Sequence, residues 1–145
     1  MSTNRSVLVV DDDDAIRDLL GIALKRYGLD AALVANGEQA ILSLREKSYD
    51  AVLLDLMMPV ASGDDVLRFL EKERPGERSV IVISAVSPKR LEELRSESIY
   101  AVVSKPFDLE DLSKLVATCT EEVRNATTSE VGNPALAPKP HPHPA

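Results

Sequence analysis

The hydrophobic residues of this chain fall into five short runs separated by longer amphipathic stretches. Each run is rich in valine, isoleucine, leucine and alanine and has the length of a β-strand. The predicted strands cover residues 7–10, 31–34, 51–54, 80–83 and 101–104. Runs such as 7–10 and 80–83 are apolar at every position, which is typical of strands that are buried on both faces of a sheet.

Between the strands, apolar residues recur at spacings of three and four, which predicts amphipathic helices. These residues are Ile16, Leu19, Leu20, Ala23 and Leu24 in the first helix, Ala40, Ile41 and Leu44 in the second, Val66, Leu67 and Leu70 in the third, and Leu109, Leu112, Leu115 and Val116 in the last.

Local signals indicate where these helices begin and end. Asp14 and Asp108 are expected to cap the first and last helices. Gly28 closes the first helix, Gly37 lies in the turn into the second, and Pro88 suits the first turn of a fourth.

The alternation of five strands with helices predicts an α/β fold, with a five-stranded parallel sheet and helices on both faces. In such sheets the functional crevice lies outside the carboxyl ends of the strands.

Chemically useful side chains follow four of the predicted strands. The first run ends in four consecutive aspartates, residues 11–14, the third in Asp55, the fourth in Ser84 and the fifth in Lys105. Crowded carboxylates repel each other, and Mg²⁺ reverses this because it prefers hard oxygen ligands. Asp55 would act as a carboxylate nucleophile toward a phosphoryl group, while Lys105 and Ser84 would bind phosphoryl oxygens.

The composition predicts one domain with a real core, since 44% of the 145 residues are hydrophobic. A formal charge of -7 disfavours unassisted binding to nucleic acid or to an anionic membrane. The single cysteine, Cys119, excludes an intramolecular disulfide and fits a reducing compartment. No apolar stretch approaches the roughly 20 residues that span a bilayer, so we expect a soluble, cytoplasmic protein.

The composition changes near the C-terminus, where prolines alternate with histidine, lysine and alanine. We therefore expect residues 1–124 to form the domain and residues 125–145 to form a disordered, proline-rich tail. His141 and His143 lie in this tail and are interpreted as incidental rather than as metal ligands.

Four motifs occur together at these strand ends. They are Val-Val-Asp11-Asp12, Leu-Leu-Asp55-Leu-Met-Met-Pro59 followed by Gly63, Ile-Ser84-Ala85, and Ser-Lys105-Pro106-Phe107. In this order and at this spacing, they make residues 5–123 resemble the receiver domain of two-component response regulators. The resemblance implies a flavodoxin-like (βα)5 receiver fold with strand order 2-1-3-4-5.

The resemblance also implies the role of each site residue. Asp55 would be the phosphoacceptor, assisted by Ser84 and Lys105. Mg²⁺ would be held by Asp11, Asp12, Asp55 and the backbone carbonyl of Met57. The Lys105–Pro106 peptide bond would be cis.

The same resemblance implies the partners. A sensor histidine kinase or a histidine phosphotransfer protein would donate the phosphoryl group, and an output protein would respond to altered protein–protein contacts. Direct contact with nucleic acid or membrane is not expected. The protein would be a monomer or a weak, phosphorylation-dependent dimer, and would catalyse only its own phosphorylation and dephosphorylation.

Two other interpretations compete with this one. Asp11 and Asp13 form an Asp-x-Asp pattern after the first strand, as in Mg²⁺-dependent phosphohydrolases of the haloacid-dehalogenase type, where Asp11 would be the nucleophile and Asp13 the general acid. That reading leaves Asp55 unexplained, and the chain has no room for a cap domain. A non-phosphorylated interaction module with the same fold is disfavoured by the complete set of site residues.

The sequence departs from the family pattern at Val102, where many receivers carry an aromatic residue that responds to phosphorylation. Tyr100, two residues earlier and on the same expected strand face, is the candidate substitute.

Overall fold

The computed structural model describes residues 4–56, 63–85 and 96–132, with side chains as far as residue 126. The elements are β1 (Ser6–Val10), α1 (Asp14–Arg26), β2 (Asp30–Val34), α2 (Gly37–Glu46), β3 (Ala51–Asp55), α3 (Gly63–Glu73), β4 (Val80–Ser84), β5 (Ile99–Ser104) and α4 (Leu109–Gly132). Each observed strand contains the predicted run, so all five strand predictions are confirmed. The predicted helix beginning near Pro88 lies outside the described residues.

The five strands form one parallel sheet in the order β2-β1-β3-β4-β5, which confirms the expected topology. The register pairs Val10 with Leu54 and Asp55 with Ile83. Because all strands point the same way, the residues that end β1, β3, β4 and β5 meet at one edge of the sheet.

Helices cover both faces of the sheet and create two hydrophobic cores. On one face α1 and α4 pack against alternate residues of the central strands. The buried members of this first core include Leu20, Leu24, Leu112, Val116, Val7, Val9, Leu53, Ile81 and Ile83. On the other face α2 and α3 pack against the intervening residues, and the members of this second core include Ala40, Val66, Leu67, Leu70, Leu8, Val10, Val52, Leu54 and Val82. The central strands are therefore fixed from both sides.

Two helix starts differ from their predictions. The N-cap of α1 is Asp13 rather than Asp14, because Asp13 has extended backbone angles and its carboxylate accepts a hydrogen bond from Ile16 N at 3.1 Å. Gly37 is the first residue of α2 rather than part of the turn before it, and Asn36 provides the cap. Both caps satisfy backbone N–H groups that a helix leaves without internal partners.

Two other helix signals are confirmed. Gly28 follows α1 with a φ of 76°, a conformation that glycine adopts without steric cost. Asp108 caps α4 by accepting a hydrogen bond from Asp111 N at 2.8 Å.

The last helix is longer than the sequence pattern indicated. Helix α4 continues to Gly132, so the expected disorder from residue 125 onward is wrong for residues 125–132. This stretch contains no proline, and the first proline of the tail is Pro134. The predicted tail from residue 133 lies outside the described residues. No helix in the described ranges combines the length and apolar character needed to cross a membrane.

The expectation that Tyr100 shares a strand face with Val102 is wrong. The pairing of β4 with β5 shifts register between Val80 and Ile81, so that the simple two-residue alternation of β5 is interrupted. Tyr100 packs against the first core and donates a hydrogen bond to Glu122 of α4. Val102 pairs with Val82, which belongs to the second core, and it is 43% exposed.

Gly63 should be sensitive to substitution because it begins α3 directly against the residue that follows β3. A Cβ at Gly63 would lie 2.7 Å from Leu56 Cδ2 and 3.2 Å from Leu56 Cα. We expect Gly63→Ala to lower the free energy of unfolding by about 1–3 kcal/mol, as overpacking does elsewhere. Urea denaturation of the full chain would measure this.

Gly21→Ala is the matched control. Its Cβ would lie 3.3 Å from Leu33 Cδ1, the end of a side chain that is 39% exposed and can move. Since Gly21 is inside α1, alanine should leave stability unchanged or raise it by up to about 1 kcal/mol. Equal losses in both variants would contradict the steric argument for Gly63.

Candidate functional site

Asp55 lies at the centre of the carboxyl edge of the sheet. It ends β3, which runs between β1 and β4, and its side chain is buried. An ionised carboxylate is rarely buried unless it is paired, because removing charge from water is costly. The surroundings of Asp55 therefore decide what the site can do.

Three carboxylates converge at this edge. Single oxygens of Asp11, Asp12 and Asp55 lie within 4.8 Å of one another, with Asp11 and Asp55 buried and Asp12 exposed. Asp11 Oδ1 accepts a hydrogen bond from Asp13 N at 2.9 Å, whereas the buried Asp11 Oδ2 accepts none from the described residues. A buried oxygen of this kind normally has a partner.

The residues therefore fit a divalent cation. Carboxylate oxygens are the ligands that Mg²⁺ prefers, and a site with one or two carboxylates directly bound leaves positions for water and phosphoryl oxygen. The predicted fourth ligand, the backbone carbonyl of Met57, lies outside the described residues.

Lys105 brings positive charge to the same edge. Its Nζ donates a hydrogen bond to Asp55 Oδ2 at 3.1 Å and lies 3.9 Å from Asp11 Oδ2. The peptide bond between Lys105 and Pro106 is cis, as the family resemblance implied. The ammonium thus neutralises part of the charge that three neighbouring carboxylates create.

The pKa values of Asp11 and Lys105 reflect burial together with the neighbouring charges. Burial raises the pKa of Asp11 above 3.8, and the charges of Asp55 and Asp12 act in the same direction, against the opposing effects of the Asp13 N–H and Lys105. Burial by itself would lower the pKa of Lys105, but its hydrogen bond to Asp55 and the neighbouring carboxylates raise the pKa above 10.5. The folded chain therefore binds a proton on Asp11 more tightly than the unfolded chain does. The stability that this contributes is fully present below pH 3.8 and is lost as the pH rises through the raised pKa.

Ser84 occupies the neighbouring strand end. It is the last residue of β4, its side chain is fully buried, and its carbonyl accepts a hydrogen bond from Lys105 N at 3.0 Å. Since Asp55 pairs with Ile83, Ser84 lies one residue beyond the partner of Asp55. The fold brings the sequence-predicted residues Asp11, Asp12, Asp55, Ser84 and Lys105 to one edge of the sheet.

The Asp-x-Asp interpretation finds no support. The Asp13 carboxylate accepts a hydrogen bond from the first turn of α1 and is not part of the carboxylate cluster. Its geometry is that of a helix cap rather than of a general acid directed at a substrate.

Arg17 is a further residue beside the cluster that the sequence patterns did not indicate. Its guanidinium donates from Nη1 to the carbonyl oxygen of Asp11 at 2.8 Å and pairs with the carboxylate of Asp14. The signal was available, because Arg17 lies in the first turns of the helix that follows four consecutive aspartates.

Neutralising Asp12 should have opposite effects on stability and on cation binding. Without a cation, Asp12→Asn removes repulsion within the cluster, and we expect a gain of about 1 kcal/mol, the Coulomb energy of two charges roughly 4 Å apart in water. With Mg²⁺ the variant should gain less thermal stability than wild type does. Melting temperatures with and without MgCl₂ test this, and Asp18→Asn, which removes an exposed charge of α1 outside the cluster, is the control. A variant that melts lower without Mg²⁺ and responds normally to it would give Asp12 a purely structural role.

Comparison with known proteins agrees with this geometry. Residues 7–117 match the family model of the response regulator receiver domain. The DNA-binding response regulator MtrA of Mycolicibacterium smegmatis is 45% identical over 74 residues, which cover 50% of this chain and 32% of MtrA. A response regulator receiver protein of Anaeromyxobacter is 31% identical over 102 residues, which cover 70% of this chain and 43% of that protein. The chain thus spans less than half the length of these relatives.

A solved structure shares this receiver fold. The response regulator TrrA of Thermotoga maritima, determined in complex with Mg²⁺ and BeF, aligns with a TM-score of 0.70 and 32% identity, covering 79% of this chain and 98% of TrrA. The family model and these relatives give no support to a phosphohydrolase of the haloacid-dehalogenase type. The family match, the parallel sheet and the acidic strand ends lead to one conclusion: this chain belongs to the response regulator receiver domain family of two-component signalling.

Proposed function

We propose that this receiver domain accepts a phosphoryl group on Asp55 from a histidine kinase or a histidine phosphotransfer protein, and that phosphorylation changes its contacts with an output protein. The observation that carries the proposal is the environment of the Asp55 carboxylate. One oxygen binds the Lys105 ammonium at 3.1 Å, and the carboxylate lies within 4.8 Å of carboxylate oxygens of Asp11 and Asp12.

Asp55 is the nucleophile in this proposal. Its carboxylate oxygen forms a bond to phosphorus while the phosphorus–nitrogen bond of the donor phosphohistidine breaks, and the departing imidazole takes a proton from solvent. Burial at the end of β3 fixes the carboxylate in place before the donor arrives. The chain would catalyse only its own phosphorylation and dephosphorylation.

Asp11 and Asp12 would hold Mg²⁺ together with Asp55, and the Met57 carbonyl is the proposed additional ligand. When bound, the cation supplies positive charge to the phosphoryl oxygens and relieves the repulsion among the carboxylates. The orphaned Asp11 Oδ2 supports this assignment, since it is buried and accepts no hydrogen bond from the described residues.

Lys105 and Ser84 would bind the transferred group. The Lys105 ammonium already contacts the oxygen of Asp55 and can move to a phosphoryl oxygen as charge develops there. The Ser84 hydroxyl would donate a hydrogen bond to another phosphoryl oxygen. Because Ser84 ends β4, this contact would link occupancy of the site to the chain that follows β4.

The proposed response to phosphorylation does not use the aromatic residue that many receivers carry on the fifth strand. Val102 occupies the expected aromatic position, and Tyr100 is held on the other face by Glu122. Output would therefore depend on the segment after Ser84 and on the partly exposed face around Val102. The tail from residue 133 and the cytoplasmic location remain predictions from the sequence.

Phosphoryl transfer should be confined to Asp55. Intact-mass measurement after incubation with acetyl phosphate and Mg²⁺ should show one phosphoryl adduct on wild type and none on Asp55→Asn, and chelation of Mg²⁺ should prevent the adduct. Asp13→Asn is the control, because asparagine keeps the helix cap and Asp13 is outside the cluster. An adduct on Asp55→Asn, or its loss in Asp13→Asn, would contradict the proposal.

Ser84 and Lys105 should couple occupancy of the site to the rest of the domain. A ligand shifts a two-state element only through its different affinities for the two states. Beryllofluoride, which stands in for the phosphoryl group, should therefore shift backbone amide resonances of Ala85 and β5 strongly in wild type and weakly in Ser84→Ala and Lys105→Gln.

Lys114→Gln is the control for the charge removed at Lys105, since Lys114 pairs with Glu110 on the exposed side of α4. NMR spectra without beryllofluoride check that each variant remains folded. Shifts of wild-type size in both site variants would show that neither side chain transmits the signal.

A further inference from the structure

Arg17 contacts three of the four consecutive aspartates that follow β1. Its backbone N–H donates to the carbonyl of Asp13 at 2.9 Å, its Nη1 donates to the carbonyl of Asp11 at 2.8 Å, and its Nη2 pairs with the Asp14 carboxylate. The side chain is only 16% exposed, although arginine is usually a surface residue. Arg17 thus connects the aspartate loop, residues 11–14, to the first turns of α1.

These contacts leave the Oδ2 atom of Asp11 without a hydrogen bond from the described residues. The Asp11 carbonyl is held by Arg17, and Asp11 Oδ1 is held by the N–H of Asp13, whose own carboxylate caps α1. The remaining atom, Oδ2, faces the cluster, 3.9 Å from Lys105 Nζ. The direction of Oδ2 is therefore set by hydrogen bonds on the opposite side of the same residue.

Arginine suits this position for geometric reasons. Its planar guanidinium has five N–H donors in a fixed arrangement, so it can bind a carbonyl and a carboxylate together. A lysine has one compact ammonium, which would reach either group but hold the loop less firmly.

We propose that Arg17 is a positioning residue for the cation site: by fixing the loop of residues 11–14, it holds Asp11 Oδ2 and the Asp12 carboxylate in convergence with Asp55 without touching the cation. This inference rests on the proposed Mg²⁺-dependent function and extends it to a residue behind the carboxylates. Groups that orient metal ligands from behind commonly change metal affinity by roughly 10–100-fold when they are removed.

A positioning role and a purely electrostatic role of Arg17 predict opposite changes in Mg²⁺ affinity when the side chain is removed. Removing a positive charge beside an acidic cluster should strengthen the binding of a cation, because less positive charge repels it. Removing the residue that holds the loop should weaken binding, because the carboxylates must be ordered by the cation itself. The sign of the change therefore separates the two roles.

The test measures Mg²⁺ binding by isothermal titration of the full chain with MgCl₂, without a phosphoryl donor. We expect Arg17→Ala to weaken binding roughly tenfold, toward the lower end of that range. Arg17→Lys should recover part of this loss. Asp14→Asn, which removes the exposed ion-pair partner but leaves the Asp11 carbonyl contact, should change affinity by less than about twofold.

Arg68→Ala is the matched control. Arg68 pairs with Asp65 at the same i,i+3 spacing near the start of α3, and its side chain is 69% exposed. The Arg68→Ala variant should bind Mg²⁺ with the affinity of wild type. Melting temperatures without Mg²⁺ identify general loss of structure. If Arg17→Ala does not fold, the Mg²⁺ affinities of Arg17→Lys and Arg17→Gln test the role of Arg17 instead.

Three results would overturn the inference. The first is that Arg17→Ala binds Mg²⁺ as tightly as wild type or more tightly; if Arg17→Ala does not fold, the same comparison applies to Arg17→Lys and Arg17→Gln. The second is that Arg68→Ala loses as much Mg²⁺ affinity as the Arg17 variant. The third is that wild type does not bind Mg²⁺, which would also remove the proposed function. Wild type that binds Mg²⁺ but takes no phosphoryl group from acetyl phosphate would overturn the proposed function alone, and the order of the Mg²⁺ affinities would still decide the role of Arg17.

Discussion

Electrostatic repulsion among carboxylates at one edge of the sheet is the constraint on which this receiver domain depends. Asp11 and Asp55 are buried, Asp12 is adjacent, and Lys105 provides one positive charge to offset them. Burial raises the pKa of Asp11, and the negative charges of Asp55 and Asp12 act in the same direction. A divalent cation would relieve this repulsion, because it would bring positive charge to the carboxylate oxygens.

The fold keeps these charges together against their repulsion. The strands that carry Asp11 and Asp55 are central in the sheet and are covered by hydrophobic cores on both faces. At the opposite edge, Asp50 accepts hydrogen bonds from Ser6 N at 2.8 Å and from Arg124 Nε at 3.0 Å, which joins the start of β1 to α4. The strands at the acidic edge therefore cannot separate to relieve the repulsion. The carboxylates stay close together, as a cation site requires.

Side chains of the described residues connect the acidic edge to the rest of the molecule. Arg17 links the aspartate loop to α1, and Lys105 with Ser84 links β3 to the ends of β4 and β5. The aromatic position of many receivers is Val102 here, while Tyr100 is held by Glu122 on the other face. In the proposed function, signal transmission would therefore rest on contacts at the strand ends rather than on an aromatic residue.

The sequence by itself determined the parallel α/β fold and which polar residues follow its strands, because apolar runs and the polar residues that end them are local patterns. Strand ends such as Asp55, Ser84 and Lys105 must meet once the strands are parallel. Only the tertiary structure decided the register shift that separates Tyr100 from Val102, the continuation of α4 to Gly132, and the contacts of Arg17. These features depend on pairing between distant segments and on side-chain packing, and neither leaves a periodic signal in the chain.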